Sequence, residues 1–264
     1  MKLGFIGSGN MAKAMMGGII SSNILKADEI IASDAFAPSL EKAKEELGIH
    51  TTLSNVEVAS NSEVVVLSVK PQFYAAVIEE IKDVISDSTI VVTIAPGQTL
   101  ERLHNQFGRD VKIVRCMPNT PAMVSEGMTA ACPNEFVTKE EIDYVCSLLN
   151  GFGKCAVVSE YMMDAVVSVS GSSPAYVYMF IEALADGAVC DGMPRDLAYK
   201  FAAQAVYGSA KMVLETGKHP GALKDMVCSP AGTTIEAVRV LEEKGFRSSV
   251  LEAMKACTEK ARSM

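Results

Sequence analysis

The chain has no tryptophan, three histidines and few aromatic residues of any kind, 6% in all. Its seven cysteines, at positions 116, 132, 146, 155, 190, 228 and 257, form no C-x-x-C pair and no even framework. His50, His104 and His219 stand far apart, so neither residue type has the spacing of a metal site, and none is expected. The thiols read instead as reduced, small apolar fillers of a cytoplasmic protein. Basic excess is also lacking. The formal net charge is -8 and the pI about 5.0, which gives nucleic acid no basic face to bind. Long apolar runs are missing as well. The longest uncharged stretch, 165–181, holds Gly171, Pro174 and four serines, which suits buried helices better than a membrane span. No leader segment is expected, because residue 3 already belongs to a strand. What remains is a 264-residue chain, 49% hydrophobic, with enough apolar side chain for a buried core in one large domain or two smaller ones.

The most informative stretch lies at the start. Leu3, Phe5 and Ile6 form a short buried-strand run. Gly7-Ser8-Gly9-Asn10-Met11-Ala12 then reads G-x-G-x-x-A, and a helical pattern over 11–20 follows at once. Strand, glycine turn and helix together are the context of a dinucleotide site. Gly7 allows the tight turn, Gly9 lets a pyrophosphate approach the backbone, and Ala12 keeps helix and strand close. Phosphates would sit on the free N–H groups at the helix start.

The pattern continues in β-α alternation. Residues 29–34 read as a second strand ending in Asp34, which lies 22 residues beyond Ala12. That is where this fold places the residue facing the adenosine ribose. A carboxylate there would accept from both ribose hydroxyls and repel a 2′-phosphate. No Lys or Arg stands between Ser33 and Leu40 to receive one. The residue therefore favours NADH over NADPH, unless it only caps the helix expected near Pro38. Further strands are expected at 49–53, 63–69, 89–94 and 111–116, with 128–131 and 155–158 as additions. Helices are expected at 38–47, 55–60, 71–85, 100–107 and 139–149. Such repeats imply a doubly wound parallel sheet over residues 1–159, with ligands beyond the carboxyl ends of its strands. Strand exits at 68–71, 95–97 and 117–121 join the candidate site. Lys70 there is either a solvated charge or a cofactor contact.

From residue 160 to 264 the pattern is helical only. The 174–191 helix is apolar nearly all round and is expected to be buried on every side. So apolar a helix in so small a bundle implies a second chain covering it, an intertwined homodimer. Thr233 with Glu236, and Ser249 with Glu252, have capping-box spacing for the last two helices. The turn Ser229-Pro230-Ala231-Gly232-Thr233-Thr234 reads equally as an ordinary helix cap or as a carboxylate site built from free N–H groups and hydroxyls.

Seven stretches, in order along the whole chain, resemble pyrroline-5-carboxylate reductases. They are 5–11, Val69-Lys70-Pro71, Arg115 to Pro121, Ser170 to Tyr176, Glu182 to Gly187, His219-Pro220-Gly221 with Leu223-Lys224-Asp225, and Ser229 to Ile235. The N-T-P and S-P-x-G-x-T-I elements are far more specific than the glycine turn. The resemblance implies a Rossmann-like domain followed by a helical dimerisation domain, often assembled into a ring of dimers. It implies reduction of L-1-pyrroline-5-carboxylate to L-proline by NADH or NADPH. Ile6, Gly7, Ser8, Gly9, Asn10, Met11, Asn55, Ser68, Val69, Lys70, Pro71 and Ala95 become cofactor contacts by it, alongside Asp34. Glu160, Thr233 and Thr234 become substrate contacts, with Thr234 nearest the imine nitrogen, and Ser229 and Gly232 complete that turn. Ser173 and Ala231 stand where family members often have glycine. A β-hydroxyacid dehydrogenase shares the first half. It needs a lysine general base in the second half, and Lys200 and Lys211 lack the glycine-rich surroundings of one.

Overall fold

The computed structural model describes residues 1–263. Its contacts gather the chain into two compact units: Met1–Ser172 joined by the chain from Thr258 on, and Ser173–Cys257. The division thus falls after Ser172, beyond the expected boundary at 159/160. Residues 160–172 stay with the first unit because Met163 buries against Ala130 and Cys132. In addition, Asn119 Nδ2 donates to the Ser170 carbonyl at 3.0 Å.

The first unit is built on eight strands: β1 (Leu3–Ile6), β2 (Ile30–Ser33), β3 (His50–Thr52), β4 (Val64–Leu67), β5 (Ile90–Thr93), β6 (Lys112–Met117), β7 (Gly127–Pro133) and β8 (Gly153–Val157). They lie in the order β3-β2-β1-β4-β5-β6-β7-β8. The β1 residues Leu3 to Ile6 pair in parallel with Ile30 to Ser33 on one side and Val64 to Leu67 on the other. The sheet is not parallel throughout, as the alternation implied: β7 runs antiparallel to β6. The link between them carries only a 3-10 turn, Thr120–Val124. A parallel crossover needs a dozen residues or more.

Six helices cover the two faces: α1 (Asn10–Ser21), α2 (Ala37–Leu47), α3 (Asn55–Asn61), α4 (Tyr74–Ile81), α5 (Leu100–Phe107) and α6 (Lys139–Leu149). Because the sheet is covered on both sides, β4 reads as a continuous apolar run rather than alternating. Val64 and Val66 point into a core with Phe5, Met15, Met16 and Phe152. Val65 and Leu67 point into the opposite core with Ile6, Tyr74, Ile78 and Phe107. The expected 71–85 helix is shorter, a 3-10 turn at Pro71–Phe73 followed by α4.

The second unit holds α8 (Ser173–Cys190), α9 (Arg195–Thr216), α10 (Pro220–Val227), α11 (Thr233–Glu243) and most of α12 (Phe246–Arg262); the short α7 (Met163–Val166) and a π turn, Val167–Gly171, precede them. Helices α8 and α9 meet through Ala185, Ala198 and Ala202, whose small side chains allow close approach. Within one chain α8 is not buried on every side. Only Ala185 is, while Tyr178, Met179, Phe180 and Leu184 stay exposed. The two expected capping boxes are absent: Gly232 is the N-cap of α11, and Ser249 lies inside α12.

Tyr74 fastens the start of α4 to the sheet. Its hydroxyl donates to the Leu67 carbonyl at 2.7 Å and lies 2.7 Å from Thr93 Oγ1. Burial pushes its pKa up to about 12, above the usual 10 for tyrosine. A folded-state pKa raised in this way gives stability that is fully present below pH 10 and lost as pH rises towards 12. Urea unfolding at pH 8 and pH 11 should therefore show wild type losing about 1 kcal/mol between the two. Tyr74→Phe should cost about 1–3 kcal/mol at pH 8 and lose no more on going to pH 11 through this group.

Candidate dinucleotide and substrate site

Strand order reverses direction about β1, so the carboxyl ends of β1, β2 and β4 open one crevice at a switch point. A cleft of about 390 Å³ lies there. The exit of β1 contributes Ile6, Gly7 and Gly9, that of β2 Asp34 and Ala35, and that of β4 Ser68, Val69 and Lys70. Asn55 at the start of α3 closes one end.

The two glycines differ in what requires them. Gly7 has φ +100°, and a Cβ there would stand 2.8 Å from the Ser68 carbonyl oxygen, so the fold itself demands glycine. Gly9 has an ordinary backbone, φ -67°, and a Cβ there would meet nothing within 4 Å. The protein does not need glycine at 9; a ligand seated on the backbone would. Gly9 is also the N-cap of α1, with no side chain capping the helix and no acid in its first turn. That start is open to an anion. Lys70 is the one cation in the lining.

Asp34 serves the turn as well as the cleft. Its Oδ2 accepts from the Ser8 N–H at 2.7 Å and lies 2.9 Å from the Ser8 hydroxyl. Its Oδ1 accepts from the Phe36 N–H at 2.9 Å. A carboxylate has about four acceptor positions, so these donors leave room for about one more. Asp34 is not a helix cap: Phe36 is the N-cap of α2.

Of the other candidates, Ser8 is fully buried beneath the turn, and Met11 packs against the core. Asn10 opens α1, and Pro71 opens the 3-10 turn; neither lines the cleft. Ala95 is 7% exposed and lines a small separate cavity with Arg115 and Met163. Glu160 is also outside the cleft. Its Oε1 accepts from the Leu100 N–H at 2.8 Å and pairs with Arg115 Nη1 at 2.8 Å, which ties the start of α5 to β6. The residues that sequence reasoning missed are Ala35 and one face of the α4 region: Phe73, Ala76, Val77 and Glu80. The i, i+3, i+4, i+7 spacing of that face was the available signal.

In the second unit, the turn 229–234 is closed by Gly232 N–H donating to the Ser229 carbonyl at 3.0 Å. Ala231 sits at φ +55°, a left-handed conformation that costs an alanine about 1–2 kcal/mol and a glycine little. No side chain caps α11, and Glu236 is taken by Arg239 at 2.7 Å. The first-turn N–H groups of Thr233, Thr234 and Ile235 have no partner among the described residues.

An open helix start behind a glycine turn, at the switch point of a wound sheet, marks a dinucleotide-binding protein. Comparison with known proteins narrows the class. Residues 160–264 match the family described as pyrroline-5-carboxylate reductase dimerisation, and residues 2–97 that described as NADP oxidoreductase, coenzyme F420-dependent. The chain is 53% identical to the pyrroline-5-carboxylate reductase of Escherichia coli, over 100% of this chain and 98% of that one. It is 40% identical to that of Methanosarcina acetivorans, over 100% and 97%. A solved reductase from Coxiella burnetii has a TM-score of 0.94 at 36% identity, covering 99% of this chain and 97% of that one. One from Plasmodium falciparum, with NADP bound, has a TM-score of 0.89 at 33% identity, covering 100% and 97%. The chain belongs to the pyrroline-5-carboxylate reductases. It is a reductase of proline biosynthesis that uses a nicotinamide cofactor, and it forms homo-oligomers.

The two glycines separate folding from binding. Gly9→Ala should leave the melting temperature within about 2 °C and weaken NADH binding about tenfold or more, by calorimetric titration without imine. Gly7→Ala should lose about 2 kcal/mol or more of stability, by urea unfolding.

Proposed function

We propose that the chain reduces L-1-pyrroline-5-carboxylate to L-proline with NADH in preference to NADPH. The observation that carries the preference is Asp34, an acceptor-only group at the β2 exit with about one acceptor position left. A ribose hydroxyl suits that position, and a 2′-phosphate is repelled by it. In this reading Ile6 to Met11 form the pyrophosphate turn, with Ser8 acting from below. Asn55 and Asp34 serve the ribose end, and Ser68 to Pro71 the β4 wall. Ala95 belongs to the next strand exit.

When bound, the reduced nicotinamide supplies a hydride. The chain binds and orients. The open N–H groups at the start of α11, with Ser229 and Gly232, hold the substrate carboxylate. The Thr234 hydroxyl accepts from the N–H of the protonated imine and so orients the ring for hydride attack at carbon. Glu160 keeps Oε2 free of protein donors among the described residues, and it is a further acceptor for substrate. A protonated imine is already electrophilic, so proximity and orientation are most of what catalysis requires. The exposed side chains of α8 and α9, Phe180 and Phe201 among them, support a homodimer covering these faces, and the family resemblance adds a ring of such dimers. The unpaired spacing of the seven thiols favours a cytoplasmic setting.

The decisive assay follows oxidation of NADH and NADPH with pyrroline-5-carboxylate. Wild type should prefer NADH, and Asp34→Ser should reduce that preference about tenfold, with some loss of stability from the released Ser8 contacts. An NADPH preference in wild type would remove this role of Asp34 and keep the reductase. Thr234→Ala should lower kcat/KM about tenfold or more, as befits one positioned hydrogen bond of about 1–2 kcal/mol. Unchanged kcat/KM would count against it.

A further inference from the structure

The cleft lining carries an unassigned carboxylate. Glu80 stands at the end of α4 and lines the cleft. Its Oε2 accepts from Asn55 Nδ2 at 2.6 Å. On its other side Asn55 Oδ1 accepts from the hydroxyl of Ser33, which is fully buried at the end of β2, at 2.7 Å. The chain Ser33–Asn55–Glu80 thus joins β2, α3 and α4 around the ribose end.

Its chemistry has one sense only. A carboxylate can only accept, so the amide nitrogen of Asn55 must face Glu80 and the amide oxygen must face Ser33. The amide is fixed against a flip by Glu80; the Ser33 hydroxyl, which can donate or accept, donates to the Oδ1 turned towards it. One N–H of Asn55 goes to Glu80, and the second has no partner among the described residues. Asn55 itself lines the cleft, so that hydrogen is the donor it has to offer.

We propose that Glu80 is a positioning residue for the dinucleotide: it holds the Asn55 amide in the one orientation that presents a donor to the ribose end of the cleft. Glu80 acts through Asn55 and does not itself need to touch the cofactor. The proposal rests on reading the cleft as the dinucleotide site.

The test is calorimetric titration of NADH, without imine, into wild type, Glu80→Ala, Glu80→Gln, Asn55→Ala and the double variant Asn55→Ala/Glu80→Ala. Glu80 is exposed, so its variants should fold, with melting temperatures as the check. Glu80→Ala should raise the Kd for NADH about fivefold to tenfold and raise KM for NADH with kcat unchanged. Glu80→Gln can donate as well as accept, so it no longer forbids the flipped amide and should raise the Kd about twofold to fivefold, between wild type and Glu80→Ala. In the Asn55→Ala background, Glu80→Ala should add nothing, because its only route of action is gone. Wild-type affinity in Glu80→Ala, or an undiminished effect without Asn55, overturns the proposal. Failure of wild type to bind either NADH or NADPH overturns the reading of the cleft as well, so the two failures are distinguishable.

Discussion

Asp34 holds the glycine turn in place, and the first half of the chain depends on that hold. A turn that leaves its first helical N–H groups open to a ligand gains no rigidity from its own capping. Here the rigidity comes from the next strand. Asp34, at the end of β2, takes the Ser8 N–H and lies against the Ser8 hydroxyl, and Ser8 is buried by the contact. Ser39 of α2 adds its hydroxyl to the Ser8 carbonyl at 3.0 Å. The turn is therefore clamped from below while its upper side, at Gly9, stays empty. Preorganisation of this kind lowers the ordering cost that binding would otherwise carry. It also means that the residue expected to read the ribose is partly committed to architecture, so its replacement affects affinity and stability together.

Much of this was legible in the sequence, for definite reasons. Helix α5 over 100–107 and helix α6 over 139–149 are bounded by residues that act locally, Thr99 and Thr138 as side-chain caps and Gly108 at the end of α5. The buried strands β1, β4 and β5 announce themselves as apolar runs because both faces of the sheet are covered. Features set by non-local partners were not legible. The direction of β7 depends on how short its link to β6 is. The α11 start looked like a Thr233–Glu236 box, but Arg239 claims Glu236 and Gly232 takes the cap. The missing wall of the cleft, from Phe73 to Glu80, belongs to a region whose apolar stripe reads as core, and only the folded sheet turns its flank towards the ligand. In the same way Glu160 is named a substrate contact only by the family resemblance, while its contacts to Arg115 and Leu100 appear only in three dimensions.

The helical unit has a different logic. Its α8–α9 seam is lined by alanines, which bring two backbones close but bury little area. Larger apolar side chains point outwards; Leu214 is 83% exposed and Met179 69%. Surfaces like these on one chain are interfaces between chains. An all-round apolar helix is thus consistent with low burial in the single chain, because the expectation of full burial assigned its cover to a second chain. Ala231 adds a second cost, since a left-handed alanine persists only where the surrounding turn over-determines it. Strain held next to the open start of α11 fits a turn whose backbone amides have a ligand to serve.

Where the titratable groups are most perturbed also bears on the chemistry. Tyr74, Cys116, Cys132 and Cys155 are all pushed up, in each case first by burial. None of them lines the dinucleotide cleft. Their shifts record the cost of charging a group inside the core, and they mark packing rather than proton transfer. In many enzymes perturbed groups cluster where an acid or base must be poised. The substrate of this family supplies its own electrophile, an imine that is reactive once protonated, and a hydride acceptor of that kind needs alignment more than acid strength. The residues that the structure fixes most firmly around the cleft are held by hydrogen bonds in one orientation each: Asp34 by Ser8 and Phe36, Asn55 by Ser33 and Glu80. Such a site lowers the barrier by fixing distance and angle, so small displacements of its walls should cost rate even where no reacting atom is touched.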